Sequence, residues 1–146
     1  MKSIQLYPIP IVYMLVYIVV LLVTGVWLFL LSQGLSTTEF FETFTKIVQN
    51  PETKSLHGFI EIATPHLFAI GTLIFIVTHF MLFSTKVSKK FSLKVSMTLF
   101  SVALFNILSY LLISFGLLVS GWIKLVAMGL FVCVFIFVLG LLVFSL

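Results

Sequence analysis

Four long apolar runs constrain this chain more than any other feature of its sequence. They cover about residues 9–31, 57–83, 95–117 and 125–146. The hydrocarbon core of a bilayer is about 30 Å thick, so a helix of about 20 apolar residues can cross it. Open β-structure is excluded in lipid, and no short alternating runs predict a barrel. The sequence therefore predicts an all-α integral membrane protein, a four-helix bundle in which residues 1–146 form a single transmembrane domain.

The composition excludes the main soluble classes of protein. Hydrophobic residues make up 62% of the 146 residues and charged residues only 8%, whereas a soluble domain is about 45–50% apolar and about 25% charged. The net charge of +4 comes from lysines near the ends of the apolar runs. These lysines are expected to meet lipid phosphates, so we expect the membrane and not nucleic acid as the partner.

The lysines also predict the orientation in the membrane. The connection between the second and third runs carries four lysines and no acid, whereas the segment between the first two runs holds three glutamates against two lysines. The positive-inside rule therefore places the lysine-rich connection and both termini in the cytoplasm. Trp27 and Trp122 then fall at the outer interface, where indole rings prefer to lie. We expect a multi-pass protein of the bacterial inner membrane.

A short amphipathic helix is predicted over about residues 37–49, in the segment that faces outward. The run from Ser36 to Glu39 has the pattern of a capping box, and apolar residues follow it at helical spacing until Asn50-Pro51 ends the pattern. Such a helix lies on the outer membrane surface or packs its apolar face on the bundle. In either position it could act as a lid over a site in the outer leaflet.

The second run carries nearly all the chemistry that the sequence offers. All three histidines and the one acid at membrane depth lie on it: His57, Glu61, His66 and His79. Ionisable groups inside a span are costly and rare, which makes them functional candidates. From a rise of about 1.5 Å per residue, His66 lies about 9 Å outside the centre of the span and His79 about 10 Å toward the cytoplasm.

One histidine in each leaflet is the layout of membrane b-type cytochromes that carry two haems. We therefore predict an electron-transfer subunit that binds haem b through His66 and His79 and exchanges electrons with quinone or a larger respiratory complex. At about 100° per residue, the two histidines are about 140° apart around the helix. The other runs have no histidine, so a second axial ligand would come from a methionine, a second copy or a partner subunit. The expected partners are other membrane subunits or a homo-oligomer.

Two other functions are compatible with the same residues. His57 and Glu61 point the same way from adjacent turns, so with His66 they could form a metal or proton site of a small transporter component. Alternatively the histidines bond neighbouring helices, and the chain is a structural or assembly subunit of a membrane complex. Asn106, near the middle of the third run, is a candidate supporting polar residue in each case, because amides in lipid bond across helices.

The second run also carries a resemblance to a known group of proteins. Glu61, His66-Leu67 and Thr78-His79 form the pattern Glu-x4-His-Leu followed by a later Thr-His, which resembles small four-helix bacterial inner-membrane proteins. Some of these proteins have a further histidine near the position of Thr64, which this chain lacks. The resemblance implies the fold and carries no activity. By layout and not by motif, the chain is also similar to the membrane subunits of b-type cytochromes.

The predicted orientation can be tested directly. A cysteine introduced between Lys86 and Lys94 should react with a membrane-impermeant thiol reagent only after the membrane is opened, because this lysine-rich connection is expected in the cytoplasm. Labelling of this connection in intact cells, or its cleavage by external protease, would refute the orientation.

Overall fold

The structure is a computed structural model that describes residues 8–32, 40–49, 55–83, 86–117 and 120–145. Within these ranges the chain forms five helices and no strand. The helices are α1 (Pro8–Ser32), α2 (Phe40–Gln49), α3 (Leu56–Leu82), α4 (Lys89–Ser114) and α5 (Trp122–Ser145). All except α2 are long and apolar enough to cross a membrane. The prediction of an all-α membrane protein with four spanning helices is therefore confirmed. We call the end at which α3 and α5 begin the outer end, following the predicted orientation.

Serine side chains begin two of the spanning helices. The Ser55 hydroxyl accepts a hydrogen bond from the Gly58 amide at 3.2 Å, and the Ser88 hydroxyl accepts one from the Phe91 amide at 3.3 Å. Each bond satisfies an amide that the first turn of a helix leaves unpaired. The helix α4 therefore begins six residues before the predicted span at 95, because hydropathy marks where a chain enters lipid and not where its helix starts.

A glycine ends α4 at the outer end. Gly116 has a φ of +69°, in the left-handed region that favours glycine. Its amide donates to the Ile113 carbonyl at 2.9 Å, and the Leu117 amide donates to the Leu112 carbonyl at 3.0 Å. This pair of bonds is a Schellman motif, which satisfies carbonyl groups at the helix end. The helix thus stops at Ser114, before the end of the apolar run at 117.

The short helix α2 packs against the protein with one face. Thr43 and Ile47, one turn apart, are buried, while Phe41 is 86% exposed. The Gly121 amide donates to the Val48 carbonyl at 3.1 Å, which joins the end of α2 to the start of α5. The apolar face therefore covers the outer end of the bundle, and Phe41 stays accessible. The predicted capping box and the predicted Asn50-Pro51 stop lie outside the described residues.

The hydrophobic core lies in the cytoplasmic half of the bundle. Its members come mainly from α3, α4 and α5, with one residue from α1: Ile74, Val77, Met81, Leu99, Ala103, Phe131, Phe135, Val138, Leu139, Leu142 and Ile18. Apolar burial gains little against lipid, so the contribution of this core comes from close packing and dispersion. The helices α3, α4 and α5 are thus the packed unit, and α1 lies at its side.

The outer half of α3 is much less covered than its cytoplasmic half. Between Leu56 and Ala69 only Ala63 is buried, and residues 64–69 are all exposed. From Ile74 onward, by contrast, side chains at helical spacing are fully buried in the core. The outer half of α3 therefore exposes most of its side chains on all sides of the helix.

Two phenylalanines of α5 test the location of the core. Phe135 is 1% exposed and belongs to the core, whereas Phe137 is 56% exposed. We expect Phe135→Ala to lower the free energy of unfolding by about 3 kcal/mol. This value is at the low end of the range for a buried phenylalanine in a soluble protein, because a phenylalanine that leaves this core meets lipid or detergent and not water. The matched variant Phe137→Ala should cost less than about 0.5 kcal/mol. Denaturant unfolding in detergent micelles measures both, and equal losses would contradict this core.

Candidate functional site

His66 projects from the uncovered half of α3. Its side chain is exposed, and its Nδ1 lies 2.8 Å from the Ile62 carbonyl oxygen, one turn earlier. A carbonyl can only accept, so this bond requires the tautomer in which Nδ1 carries the proton and donates it. The lone pair of Nε2 is then available on the surface of the helix. This is how metal-binding histidines are usually held, with one ring nitrogen donating to a carbonyl and the other binding the metal.

His79 lies near the cytoplasmic end of α3, on the side that faces away from the core. It is exposed, and its ring stacks on Phe75 at a centroid distance of 5.6 Å with an interplanar angle of 20°. On its other side, Phe83 meets the ring edge-on at 5.0 Å and 78°. Aromatic contacts therefore fix the orientation of this ring. His66 and His79 are about 140° apart on α3, so they face different surroundings.

His57 and Glu61 lie in the first two turns of α3, and both are exposed. They are four residues apart and share a face of the helix, whereas His66 lies about 180° around the helix from His57. In the ranges that the structure describes, no three His, Cys, Asp or Glu side chains are grouped closely enough to hold a metal ion. The fold therefore keeps His57 beside Glu61 and holds His66 apart from them.

A second polar site, which sequence reasoning missed, lies inside the outer end of the bundle. The Lys124 ammonium donates to the backbone oxygen of Asn106 at 3.2 Å and to its side-chain Oδ1 at 3.3 Å. The buried Ser109 hydroxyl donates to the same backbone oxygen at 2.8 Å. Asn106 therefore joins α4 to α5 through a charged hydrogen bond. Its described bonds run to these two residues and not to a histidine of α3.

Aromatic rings surround this lysine. The Lys124 nitrogen lies 5.3 Å from the centre of the Tyr110 ring and 5.7 Å from that of Phe29, distances at which a cation is attracted to a ring face. Tyr110 in turn stacks on Phe59 of α3 at 5.9 Å. We call Asn106, Ser109, Tyr110 and Lys124 the outer polar cluster. Together with Phe29 and Phe59, it connects all four spanning helices.

One sequence signal could have revealed this cluster. Asn106 is the only amide side chain in the third apolar run, and Lys124 is the only charged residue after Val95. The two helices are consecutive and antiparallel, so a long side chain near the start of α5 can reach a residue two turns before the end of α4. From the sequence, the lysines near the ends of the apolar runs are expected to meet lipid phosphates, whereas the Lys124 ammonium bonds to Asn106.

Comparison with known proteins places the chain in a broad class. Residues 34–146 match the family Aq_1264_TM, described as a transmembrane helical domain. This segment contains α2 to α5 and therefore both of the sites described above. No curated protein and no solved structure matches the chain. The match supports the predicted relation to a family of membrane proteins, while the Glu-x4-His-Leu motif and the cytochrome likeness stay predictions.

The bond between Lys124 and Asn106 can be tested by a double-mutant cycle. Hydrogen bonds between membrane helices contribute about 0.6–2 kcal/mol, so Asn106→Ala and Lys124→Met should each destabilise the fold by an amount in this range. The double variant should lose less than the sum of the two, because both remove the same interaction. Thermal unfolding in detergent measures all four proteins. Additive losses would show that the two side chains do not interact.

Proposed function

The chain belongs to the Aq_1264_TM family of transmembrane helical domains, and we propose that it is an electron-transfer subunit of the bacterial inner membrane. In this proposal His66 binds haem b through Nε2. The observation that carries it is the state of this imidazole, which is exposed at membrane depth and has its Nδ1 bonded to the Ile62 carbonyl. Haem supplies an iron that gains and loses one electron, and quinone or a larger respiratory complex is its exchange partner.

The first support is the energetic cost of His66 in lipid. A polar nitrogen that faces hydrocarbon without a partner costs several kcal/mol on alkane scales, about 4–8 for groups that cannot hydrogen-bond at all. Nδ1 avoids this cost through the Ile62 carbonyl. Nε2 would avoid it by binding a metal, or by meeting a polar group of another chain. The exposed imidazole therefore calls for an occupant beside α3.

The second support is the space around His66. Residues 64–69 are all exposed, so a planar macrocycle could approach this part of α3 from the side without moving another helix of the chain. The histidines of the chain all lie on α3, so the second axial ligand would be a methionine, or a residue of a second copy or of a partner subunit. Met81 is fully buried in the core and is therefore the methionine least able to serve.

His79 would serve a separate site in the cytoplasmic leaflet. It faces about 140° away from His66, so one planar macrocycle could not meet both rings. Phe75 and Phe83 hold its ring in one orientation, as a ligand position requires. In the proposal, His66 is the primary haem ligand and His79 the second, with quinone as a further cofactor near either haem.

A structural or assembly subunit is the second candidate, and a specific observation favours it. Large apolar side chains are exposed along α1 and around the outer half of α3, among them Tyr13, Trp27 and Phe68. Surfaces of this kind fit the face of another membrane protein as well as they fit lipid. In this case the histidines would bond polar groups of the partner and hold no cofactor. A metal or proton site at His57 and Glu61 is the third candidate.

The visible spectrum of the purified protein separates these functions. We expect a Soret band that shifts when dithionite reduces the protein, and we expect His66→Ala to abolish or strongly reduce it by removing the axial ligand. His57→Ala is the matched control, since it removes an exposed imidazole of the same helix away from the proposed site. This variant should keep the band.

Other outcomes distinguish the alternatives. A colourless, metal-free protein that stays folded after His66→Ala and His79→Ala would overturn the haem proposal and favour the assembly subunit. Bound metal without a Soret band, measured by mass spectrometry and lost in Glu61→Gln, would favour the third candidate. The protein should be expressed with added haem precursor, so that a colourless product cannot result from a shortage of haem in the cells.

A further inference from the structure

Lys124 carries a charge into the bundle, and none of the side chains that the structure describes around it is an acid. It is the third residue of α5, so its backbone lies at the outer end, yet its ammonium bonds to Asn106, about two turns or 12 Å before the end of α4. A lysine so close to a helix end usually extends outward to water. Here the side chain turns toward the interior instead.

The contacts of this ammonium satisfy hydrogen bonds but leave its charge unbalanced. Both acceptors on Asn106 are neutral oxygens, and the Phe29 and Tyr110 rings are neutral as well. No carboxylate of the described residues lies within ion-pair distance of Lys124. A charged group removed from water is costly unless an opposite charge accompanies it.

The start of α5 adds to this positive potential. The aligned peptide dipoles of a helix place a partial positive charge at its first turn, where a lysine is electrostatically unfavourable. Lys124 lies within that first turn. The amides of Trp122, Lys124 and Leu125 are already bonded, to Ser120 and Gly121. The start of α5 therefore adds positive potential near the outer polar cluster and supplies no opposite charge.

The ammonium also retains the capacity to bind a ligand. Lysine has three N–H donors, of which two point to Asn106. The Lys124 side chain is half-buried and not sealed in the core, and its described hydrogen bonds leave the third donor unused. The aromatic rings beside it limit access to bulk water and strengthen any electrostatic attraction.

We propose that Lys124 and the outer polar cluster bind an oxyanion, the phosphate or carboxylate group of a lipid or of a small soluble molecule. Lys124 supplies the charge, Asn106 holds the ammonium in place, and the Phe29 and Tyr110 rings form the wall of the site. This anion site requires no metal and does not involve His66. The proposal is therefore independent of the proposed haem site.

The stability of the protein in defined lipids tests the site. Phosphatidylglycerol added to the detergent-purified protein should raise the thermal midpoint by several degrees more than phosphatidylcholine does, because a ligand stabilises the folded state that binds it. Lys124→Gln keeps a hydrogen-bonding side chain but removes the charge, so it should lose this difference. Lys124→Arg should keep it. Lys94→Gln, which removes an exposed lysine near the other end of the bundle, is the matched control and should also keep it.

Thermal midpoints measured in parallel with soluble anions and with phosphatidylglycerol identify the source of the oxyanion. If inorganic phosphate or acetate raises the midpoint of the wild-type protein and not that of Lys124→Gln, the site takes a soluble anion. If only phosphatidylglycerol does so, it takes a lipid headgroup. The proposal is overturned if Lys124→Gln keeps the full difference, or if none of these anions stabilises the wild-type protein.

Discussion

Lipid gives apolar helices no reason to bury their side chains, and this constraint governs the whole architecture. Each spanning helix pairs its own backbone groups, so it is stable in the bilayer alone. Helices then associate only where side chains interlock or polar groups meet. In this chain the interlocking part is the cytoplasmic half of α3, α4 and α5, which contains most of the fully buried residues. At the outer end, polar bonds and ring contacts add to the packing of buried residues such as Ile113 and Ala127.

The same constraint separates the polar residues into two kinds. Lys124 and Asn106 face each other between α5 and α4, and their charged hydrogen bond contributes to the association of these helices. The Tyr110 ring lies beside the amine. His66 and His79 face outward from α3, where their polar atoms contribute nothing to the contacts between helices of this chain. The bond between Lys124 and Asn106 explains how the outer end is held together. The fold alone does not explain His66 and His79, so we assign these histidines to a cofactor or to another subunit.

Much of the fold could be predicted from hydropathy, but the neighbouring helix toward which each side chain points could not. The four spans and the short helix α2 follow from the apolar runs and the spacing of phenylalanines, since lipid thickness and helical period leave few alternatives. The start of α4 was missed because Ser88 begins the helix outside the apolar run. The lysines near the ends of the apolar runs are expected to meet lipid phosphates, but hydropathy does not specify that the Lys124 ammonium turns inward to Asn106. Whether Asn106 faces α5 or α3 depends on how the helices rotate against each other, which one sequence does not specify.

The family match clarifies how the two candidate sites depend on the fold. It spans residues 34–146 and so omits α1, the helix from which Ile18 is buried in the core and Met14, Leu15 and Leu22 pack against it. His66, His79, Asn106 and Lys124 all lie on the helices that the match includes. Helix α1 contributes the Phe29 ring, which lies beside the Lys124 ammonium. The position of the histidines thus depends on the packing of α3 against α4 and α5, whereas the enclosure of Lys124 also requires α1 to stay in place. A movement of α1 away from the bundle would therefore open the outer polar cluster to lipid and leave the α3 histidines as they are.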